Sequence, residues 1–387
     1  MTSSARIIHC IRTPIGGSFR HVCDLMHGQA ALGHEVGLIC ATGMGGEMTE
    51  RALAGIDEIA TLGVHRIAMS RQIGISDFTA WLRIRALGRC LRPHVLHGHG
   101  AKGGAYVRLL ARSLGALAFY TPHGGSLHYS PASLQGFVYL TLERALLKRT
   151  DGLIFESGYS RDVHRAKVGA APCMVRVIHN GVAAGEFEPV ELDRDAAEFL
   201  FIGELRHLKG VDVLLHALRQ VRISRDARLV VVGSGPDEDI FRASCHELGL
   251  DDAVHFAGPL PARAAFARGR TVIVPSRAES LPYIVLEAAA AGKSLIVSNV
   301  GGIPEIFGPR LWGRVPAGDA DALAQAMMQA SDDPMRDYAA AIELRQRIKK
   351  QFSVTSMVSE IDRFYRHFAT APVRDPQASP ALRFPAE

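Results

Sequence analysis

Short unbroken apolar runs alternate along this chain with longer stretches in which apolar residues recur every three or four positions. ARIIHCI (5–11) is β-branched and continuous, the pattern of a strand buried on both faces of a parallel sheet. After the glycine-containing loop RTPIGGS (12–18), Val22, Leu25, Met26, Gln29 and Leu32 form one helical stripe over 19–32, and Gly33 stands where that helix would stop. HEVGLIC (34–40) reads as the next strand, followed by HRIAMS (65–70), HVLHGH (94–99), ALAFYTPH (116–123), GLIFES (152–157) and VRVIHN (175–180). A second series begins at EFLFIG (198–203) and continues through RLVVVG (228–233), AVHFAG (253–258), TVIVPS (271–276) and SLIVSN (294–299). Strands alternating with helices predict an α/β chain of parallel sheets covered on both faces, and two series predict two doubly wound, Rossmann-like domains.

The polar, turn-rich stretch 181–196 marks the joint. The first domain is therefore expected over 1–182 and the second over 183–352. A last helix is expected over 353–369, packing back on the first domain. The Pro-rich tail 370–387 is expected to be disordered.

Composition narrows the class. Hydrophobic residues make up 48% and charged residues 21% of 387, enough for two sizeable cores. No window holds the roughly 18 unbroken apolar residues of a membrane-spanning helix, and MTSSARIIHC lacks the apolar run of a signal peptide. A cytoplasmic protein is the expectation. None of the six cysteines forms a C-x-x-C pair, so reduced thiols are expected rather than a disulfide framework or zinc knuckle. Residues 1–190 carry 20 Lys/Arg against 13 Asp/Glu, and residues 191–387 carry 24 against 26. The first half is thus the side suited to an anionic partner, or simply a solvated basic surface. It has no basic run interleaved with aromatics, so nucleic acid is not the expected partner.

Ligands of open α/β sheets bind beyond the carboxyl ends of the strands, and several groups with chemical potential fall there. Gly16 and Gly17 follow the first strand and precede a helix, where backbone N–H groups and the helix dipole suit a phosphate or a sugar hydroxyl, or where a tight turn is simply needed. His94, His97 and His99 end the strand HVLHGH. His97 and His99 share a face, either as hydrogen-bonded strand-end histidines, the preferred reading, or as a metal pair. His123 lies in the Gly/Pro loop TPHGG (121–125) with no evident duty in a helix or strand. In GELRHLKG (203–210), Arg206 and Lys209 are expected to open the helix that follows, where two cations could converge on one anion. ESLPYIVLE (279–287) sets Glu279 in a loop and Glu287 in the second turn of a helix starting near Pro282. A carboxylate there can hold a ribose diol, while the N–H groups around Leu281 and Tyr283 can meet a phosphate.

These motifs, in this order over residues 6–368, resemble the family-4 retaining glycosyltransferases of GT-B fold. The E-x7-E pair Glu279/Glu287, the following AAAAGKSLIVSNVGGIPEI, the early G-G loop, the G-H-E-V segment and the K-G-x-D-x-L-L-x-A helix carry the resemblance. It implies two Rossmann-like domains facing across a cleft. It also implies that Glu287 holds the nucleotide ribose and Glu279 the donor sugar. Lys209 with Arg206 would bind the diphosphate, and Gly16 and Gly17 would approach the donor phosphates. His123 would face the sugar, Gly233 and Gly235 would border the base pocket, and Ser280, Leu281, Pro282 and Tyr283 would line the phosphate turn. One departure stands out: Glu204 occupies the place of a family arginine, for which Arg206 would substitute.

The implied reaction is transfer from a UDP- or GDP-linked sugar to a saccharide or polyprenyl-linked saccharide, in cell-surface polysaccharide biosynthesis. The anomeric configuration would be retained, and neither metal nor cofactor is expected. The segment 78–94 (FTAWLRIRALGRCLRPH) mixes arginines with large apolar residues, as a helix lying on an anionic membrane would, or as a helix packed on its own sheet would. Three other functions fit parts of the pattern: a nucleotide-sugar 2-epimerase, a non-catalytic nucleotide-sugar sensor, and a metal hydrolase built on His97 and His99.

Overall fold

The computed structural model describes residues 4–72, 74–309 and 312–369. They fall into two units. The first holds the described residues up to Glu156, Arg161–Ile178 and those from Met357 on. The second holds Ser157–Ser160 and His179–Ser356. The expected disordered tail, 370–387, lies outside the described residues.

Through the first unit the chain runs β1 (Arg6–Ile11), α1 (Gly16–Ala31), β2 (Glu35–Ala41), α2 (Glu47–Asp57), β3 (Val64–Ile67), α3 (Ile75–Leu91), β4 (Val95–His99), α4 (Gly100–Leu110), β5 (Leu117–Thr121), α5 (Leu134–Leu146), β6 (Gly152–Phe155), α6 (Gly158–Lys167) and β7 (Met174–Val177). The sheet is parallel with order β3-β2-β1-β4-β5-β6-β7, so its topological switch point lies between β1 and β4. Side chains alternate between its faces. Ile8 and Cys10 pack with Leu96 and Ala118 on one face, and Leu38 and Cys40 pack with Val22 and Met26 of α1 on the other. Helix α4 lies close against β4: a Cβ on Gly98 would stand 2.5 Å from the Cα of Gly104, so only glycine fits both backbones together.

Helix α1 begins at Gly16, three residues before its expected start. Gly16 and Gly17 are therefore its first turn rather than part of a preceding loop. Gly16 sits at φ +70°, a left-handed value that suits glycine. The apolar stripe starts only at Phe19, which is why periodicity dates the helix late.

The second unit runs β8 (Ala197–Ile202), α7 (Val211–Arg222), β9 (Leu229–Val232), α8 (Glu238–Glu247), β10 (Val254–Gly258), α9 (Ala262–Phe266), β11 (Gly269–Val274), α10 (Tyr283–Ala290), β12 (Ser294–Ser298), α11 (Ile303–Phe307), β13 (Arg314–Val315), α12 (Ala320–Asp332) and α13 (Pro334–Gln351). Its parallel order is β10-β9-β8-β11-β12-β13, with the switch point between β8 and β11. Phe199, Phe201 and Ile273 join the core under α7 and α12, and Leu200, Val272 and Val274 join the core under α10 and α13. Strand β13 has two residues, too few for a readable pattern. Helix α14 (Val354–Ala369) ends the described chain and belongs to the first unit from Met357 on.

Candidate functional site

In the second unit, four loops meet at the carboxyl ends of β8, β9, β11 and β12, and glycines let them approach backbone to backbone. A Cβ on Gly233 would lie 1.9 Å from the Gly203 carbonyl oxygen, and one on Gly235 would lie 2.3 Å from that of Leu205. On the other side, a Cβ on Gly301 would lie 1.8 Å from the Glu279 carbonyl oxygen, and the Gly302 N–H donates to the Ser280 carbonyl at 2.8 Å. Arg277 ties the centre together. Its guanidinium donates to both oxygens of Asp212 at 2.8 and 2.6 Å and to the His207 carbonyl at 2.8 Å. This two-pronged contact holds the Asp212 carboxyl below the usual carboxylate range, outweighing the burial that would raise it.

Lys209 and Glu279 lie within this frame. The Lys209 ammonium donates to Glu279 Oε1 at 2.6 Å, and the Ser276 hydroxyl donates to the same oxygen at 2.7 Å. Lys209 sits in the short turn His207–Lys209, and α7 starts only at Val211. Arg206 and Lys209 therefore precede the helix rather than opening it, because Gly210 takes φ +72° and interrupts the backbone between turn and helix. Arg206 is half exposed and pairs with Glu204 at 3.0 Å, turned toward the very residue that displaces the family arginine. The contacts of its side chain do not include the Lys209–Glu279 pair.

After Glu279 the chain passes through Ser280, whose hydroxyl meets that of Ser160. Leu281 follows, and its carbonyl accepts from Asn180 at 2.9 Å. Pro282 then caps α10 without a side-chain hydrogen bond, and no acidic residue occupies the first turn. The N–H groups starting at Tyr283 thus present the positive end of the helix. Glu287 lies half-buried in the second turn. Lys209 touches Glu279, residues 280–283 lead from Glu279 into α10, and Gly233 and Gly235 bring the loop after β9 against the loop after β8.

Glu305 shows a contact that sequence reading missed. Its carboxylate accepts from the Gly158 and Tyr159 N–H groups, each at 2.9 Å, and from His179 at 3.0 Å. All four of these residues belong to the second unit, and the G-G-x-P-E spelling was the only trace of Glu305 in the sequence.

The first unit holds Gly16 and Gly17 in the first turn of α1 and His123 beyond the end of β5. His123 has φ +50°, a left-handed value rare for a residue with a Cβ. Around it lies a cluster of buried histidines: His9, His21, His97 and His99 are all 1% exposed or less. The register explains how the strands bring them together, since His9 on β1 faces His97 on β4, and His99 on β4 faces Thr121 on β5. The ligand nitrogens of His9, His97 and His99 lie within 4.8 Å of one another, as do those of His21, His99 and His123, so each trio has the reach of a metal site. Hydrogen bonds already occupy the nitrogens of His9, His97 and His99 and one nitrogen of His123, however. His9 Nδ1 meets His99 Nε2 at 3.0 Å and His9 Nε2 meets Gln29 at 2.8 Å. His97 Nε2 meets Thr121 at 2.8 Å and His97 Nδ1 meets the Tyr365 hydroxyl at 2.6 Å. His99 Nδ1 meets His123 Nε2 at 3.1 Å. An ion would have to break several of them. Burial pushes His9 down to about 4, and burial together with neighbouring imidazoles pushes His97 and His99 well below the ordinary histidine range. The H-x-H spelling pointed to two of these side chains. His9, His21 and Glu156 escaped notice because only strand register and helix packing bring them near.

The six cysteines are free thiols. Among the described residues no helix is long and apolar enough to cross a membrane.

Comparison with known proteins covers both halves of the chain. The model "Glycosyltransferase Family 4" matches residues 15–185, and "Glycosyl transferases group 1" matches residues 185–352. The glycogen synthase of Mycobacterium tuberculosis is 29% identical over 384 residues, which is 91% of each chain. The D-inositol 3-phosphate glycosyltransferase 1 of Catenulispora acidiphila is 29% identical over 70% of this chain and 71% of its own. Among solved structures, the sucrose-phosphate synthase of Thermosynechococcus elongatus has a TM-score of 0.81 at 21% identity, covering 95% of this chain and 100% of its own. HepE of Anabaena, in complex with UDP and glucose, has a TM-score of 0.78 at 16% identity, covering 94% and 100%. At these identities the structures establish the two-sheet fold they share.

Proposed function

The chain belongs to the family-4, group 1 glycosyltransferases of GT-B fold, and from that membership we propose that it transfers a sugar from a UDP- or GDP-linked donor to a saccharide or lipid-linked saccharide, with retention of configuration. The observation that carries the donor reading is the Lys209–Glu279 pair set beside the uncapped start of α10. Lys209 and the α10 N–H groups stabilise the diphosphate as its charge develops. Glu287 accepts from the ribose hydroxyls, and the loops at Gly233 and Gly235 border the base. Glu279, oriented by Lys209 and Ser276, accepts from hydroxyls of the donor sugar. Arg206, free of the Lys209–Glu279 contact, screens the phosphates from the loop edge once it leaves Glu204. For Gly16, Gly17 and His123 of the first unit, the proposal keeps the roles that the family resemblance implies. The leaving phosphate oxygen takes the acceptor proton, so this route uses no covalent nucleophile.

The acceptor half of the proposal rests on the first unit. Helix α3 buries Ala80, Ile84 and Gly88 and turns Ile75, Phe78 and Leu82 outward beside Arg83 and Arg89. An apolar face flanked by arginines suits peripheral contact with an anionic bilayer bearing the acceptor. Sedimentation with anionic vesicles tests this arm, and equal recovery with and without vesicles removes it.

The function itself is tested by screening UDP- and GDP-sugars for nucleoside diphosphate release, with and without a lipid-linked acceptor pool, and reading the anomeric proton of the product by NMR. Acceptor-dependent release with the donor's configuration is expected. An isomerised sugar formed without acceptor would instead indicate a 2-epimerase, and no turnover of any donor would leave only binding.

A further inference from the structure

Both oxygens of the Glu305 carboxylate are engaged. Oε2 accepts from the Gly158 N–H at 2.9 Å and from His179 Nε2 at 3.0 Å, and Oε1 accepts from the Tyr159 N–H at 2.9 Å. An ionised carboxylate can only accept, so His179 donates. Burial would raise the Glu305 pKa, but the bonds from His179, Tyr159 and Gly158 outweigh it and hold the group below the ordinary glutamate range. The backbone of α11 is held in turn by α13, where Arg347 donates to the Ile306 carbonyl at 2.8 Å and to the Glu305 carbonyl at 3.1 Å.

The residues that Glu305 grips stand next in sequence to two that grip the turn before α10. Ser160 follows Tyr159. Its N–H and its hydroxyl both bond the Ser157 hydroxyl, and its hydroxyl also meets that of Ser280. Asn180 follows His179, and its amide donates to the Leu281 carbonyl at 2.9 Å. Ser160 and Asn180 are both buried. Ser280 and Leu281 lead directly into Pro282 and the uncapped start of α10. A further bond from the same side does not depend on the carboxylate: Gly302, the N-cap of α11, donates its N–H to the Ser280 carbonyl at 2.8 Å. All of these residues belong to the second unit. Two arms thus run from one carboxylate to two consecutive residues, and neither passes through Lys209, Glu279 or Glu287.

We propose that Glu305 is a positioning residue for the donor diphosphate, fixing Ser280 and Leu281 through Ser160 and Asn180 and so aiming the N–H groups that open α10. This rests on the reading of the α10 start as the place that meets the diphosphate. Glu305 acts through its two arms and not on the nucleotide itself. A turn ordered in advance spares the nucleotide the cost of ordering it. Such coupling is reciprocal: nucleotide bound at α10 tightens the Glu305 contacts by the factor by which those contacts tighten nucleotide binding.

The test measures both sides of that coupling. Glu305→Gln keeps the shape of the side chain but turns an amide N–H₂ toward groups that can only donate. Calorimetry of UDP and GDP should show the Kd of the nucleotide that the natural protein binds raised about tenfold in this variant. With Ser160→Ala and Asn180→Ala already in place, Glu305→Gln should cost no further affinity, because the arms it acts through are gone. In the natural protein, saturating nucleotide should slow amide exchange at Gly158 and Tyr159 about tenfold. Exchange at Arg228, whose N–H is held by the Glu198 carboxylate at 2.8 Å, should not change. The exchange readout needs no variant, so it stands even if Glu305→Gln fails to fold. Unchanged affinity in folded Glu305→Gln overturns the proposal. A full tenfold loss in the Ser160→Ala, Asn180→Ala background does the same, as does exchange at Gly158 and Tyr159 that ignores the nucleotide. Each of these results leaves the donor reading intact. Binding of neither UDP nor GDP by the natural protein removes that reading, and the positioning role with it.

Discussion

Gly301→Ala tests whether the Glu279 loop is held in place by close backbone packing. The new Cβ would stand 1.8 Å from the Glu279 carbonyl oxygen and 2.6 Å from its carbonyl carbon, where ordinary contact begins near 3.4 Å. The loop carrying Glu279 and Ser280 must therefore retreat by about 1.6 Å, which is the shortfall between those two contacts. Gly301 also has φ +61°, which costs an alanine about 1–2 kcal/mol by itself. Overpacking adds about 1–3 kcal/mol. Gly258→Ala isolates the first cost, because Gly258 has φ +71° and an added Cβ would find no atom within 4 Å. At roughly 2–4 °C per kcal/mol for a domain of this size, Gly258→Ala should melt about 2–8 °C low and Gly301→Ala about 4–20 °C low. Displacing Glu279 by more than an ångström should also cut nucleoside diphosphate release about a hundredfold, while Gly258→Ala leaves it near the natural rate. Thermal melts and a coupled release assay read both effects. Equal melting shifts with full activity in Gly301→Ala would refute the packing argument.

Other perturbations have distinct signatures. Lys209→Met removes the cation from Glu279, and turnover should fall about 10²–10³-fold in the release assay. Glu287→Ala should raise the donor Kd by calorimetry while the melting temperature stays near the natural value, and His123→Ala should lower turnover more than donor binding. Arg108 and Glu143 form a fully buried pair at 2.8 Å, so Arg108→Met alone should destabilise by about 3–5 kcal/mol by urea unfolding, and adding Glu143→Leu should recover most of it. The pH dependence follows from the lowered histidines: His9 is pushed from 6.5 to about 4. Between those values the unfolded chain binds the proton that the folded chain refuses, so stability is full above about 6.5 and falls as pH drops toward 4. Urea midpoints at pH 7.5, 6 and 5 should fall in that order, and His9→Asn should flatten the slope.

The alternation of strand and helix was legible because the central strands are buried on both faces and so spell continuous apolar runs, as in LVVV of β9 or TVIV of β11. What escaped has identifiable causes. Strand β13 is too short to show a period. Helix α1 starts on two glycines that carry no apolar signal. Arg206 pairs with Glu204, a contact that spacing does not show. Glu279 and Glu287 share one short motif, E-x7-E, and Lys209 stands in K-G-x-D, although 70 residues separate Lys209 from the Glu279 it touches. The histidine cluster was not legible in this way, because its contacts span up to 268 residues and exist only through strand register and the packing of α1 and α14.

The account's central claim, that the loops around Lys209, Glu279 and Glu287 hold a nucleoside diphosphate, is tested most directly by calorimetric titration of UDP and GDP into the natural protein and into Glu287→Ala and Lys209→Met. One saturable site for one of the two nucleotides, weakened at least tenfold in both variants, is the expected result. Binding of neither nucleotide, or binding of equal strength in all three proteins, would contradict it.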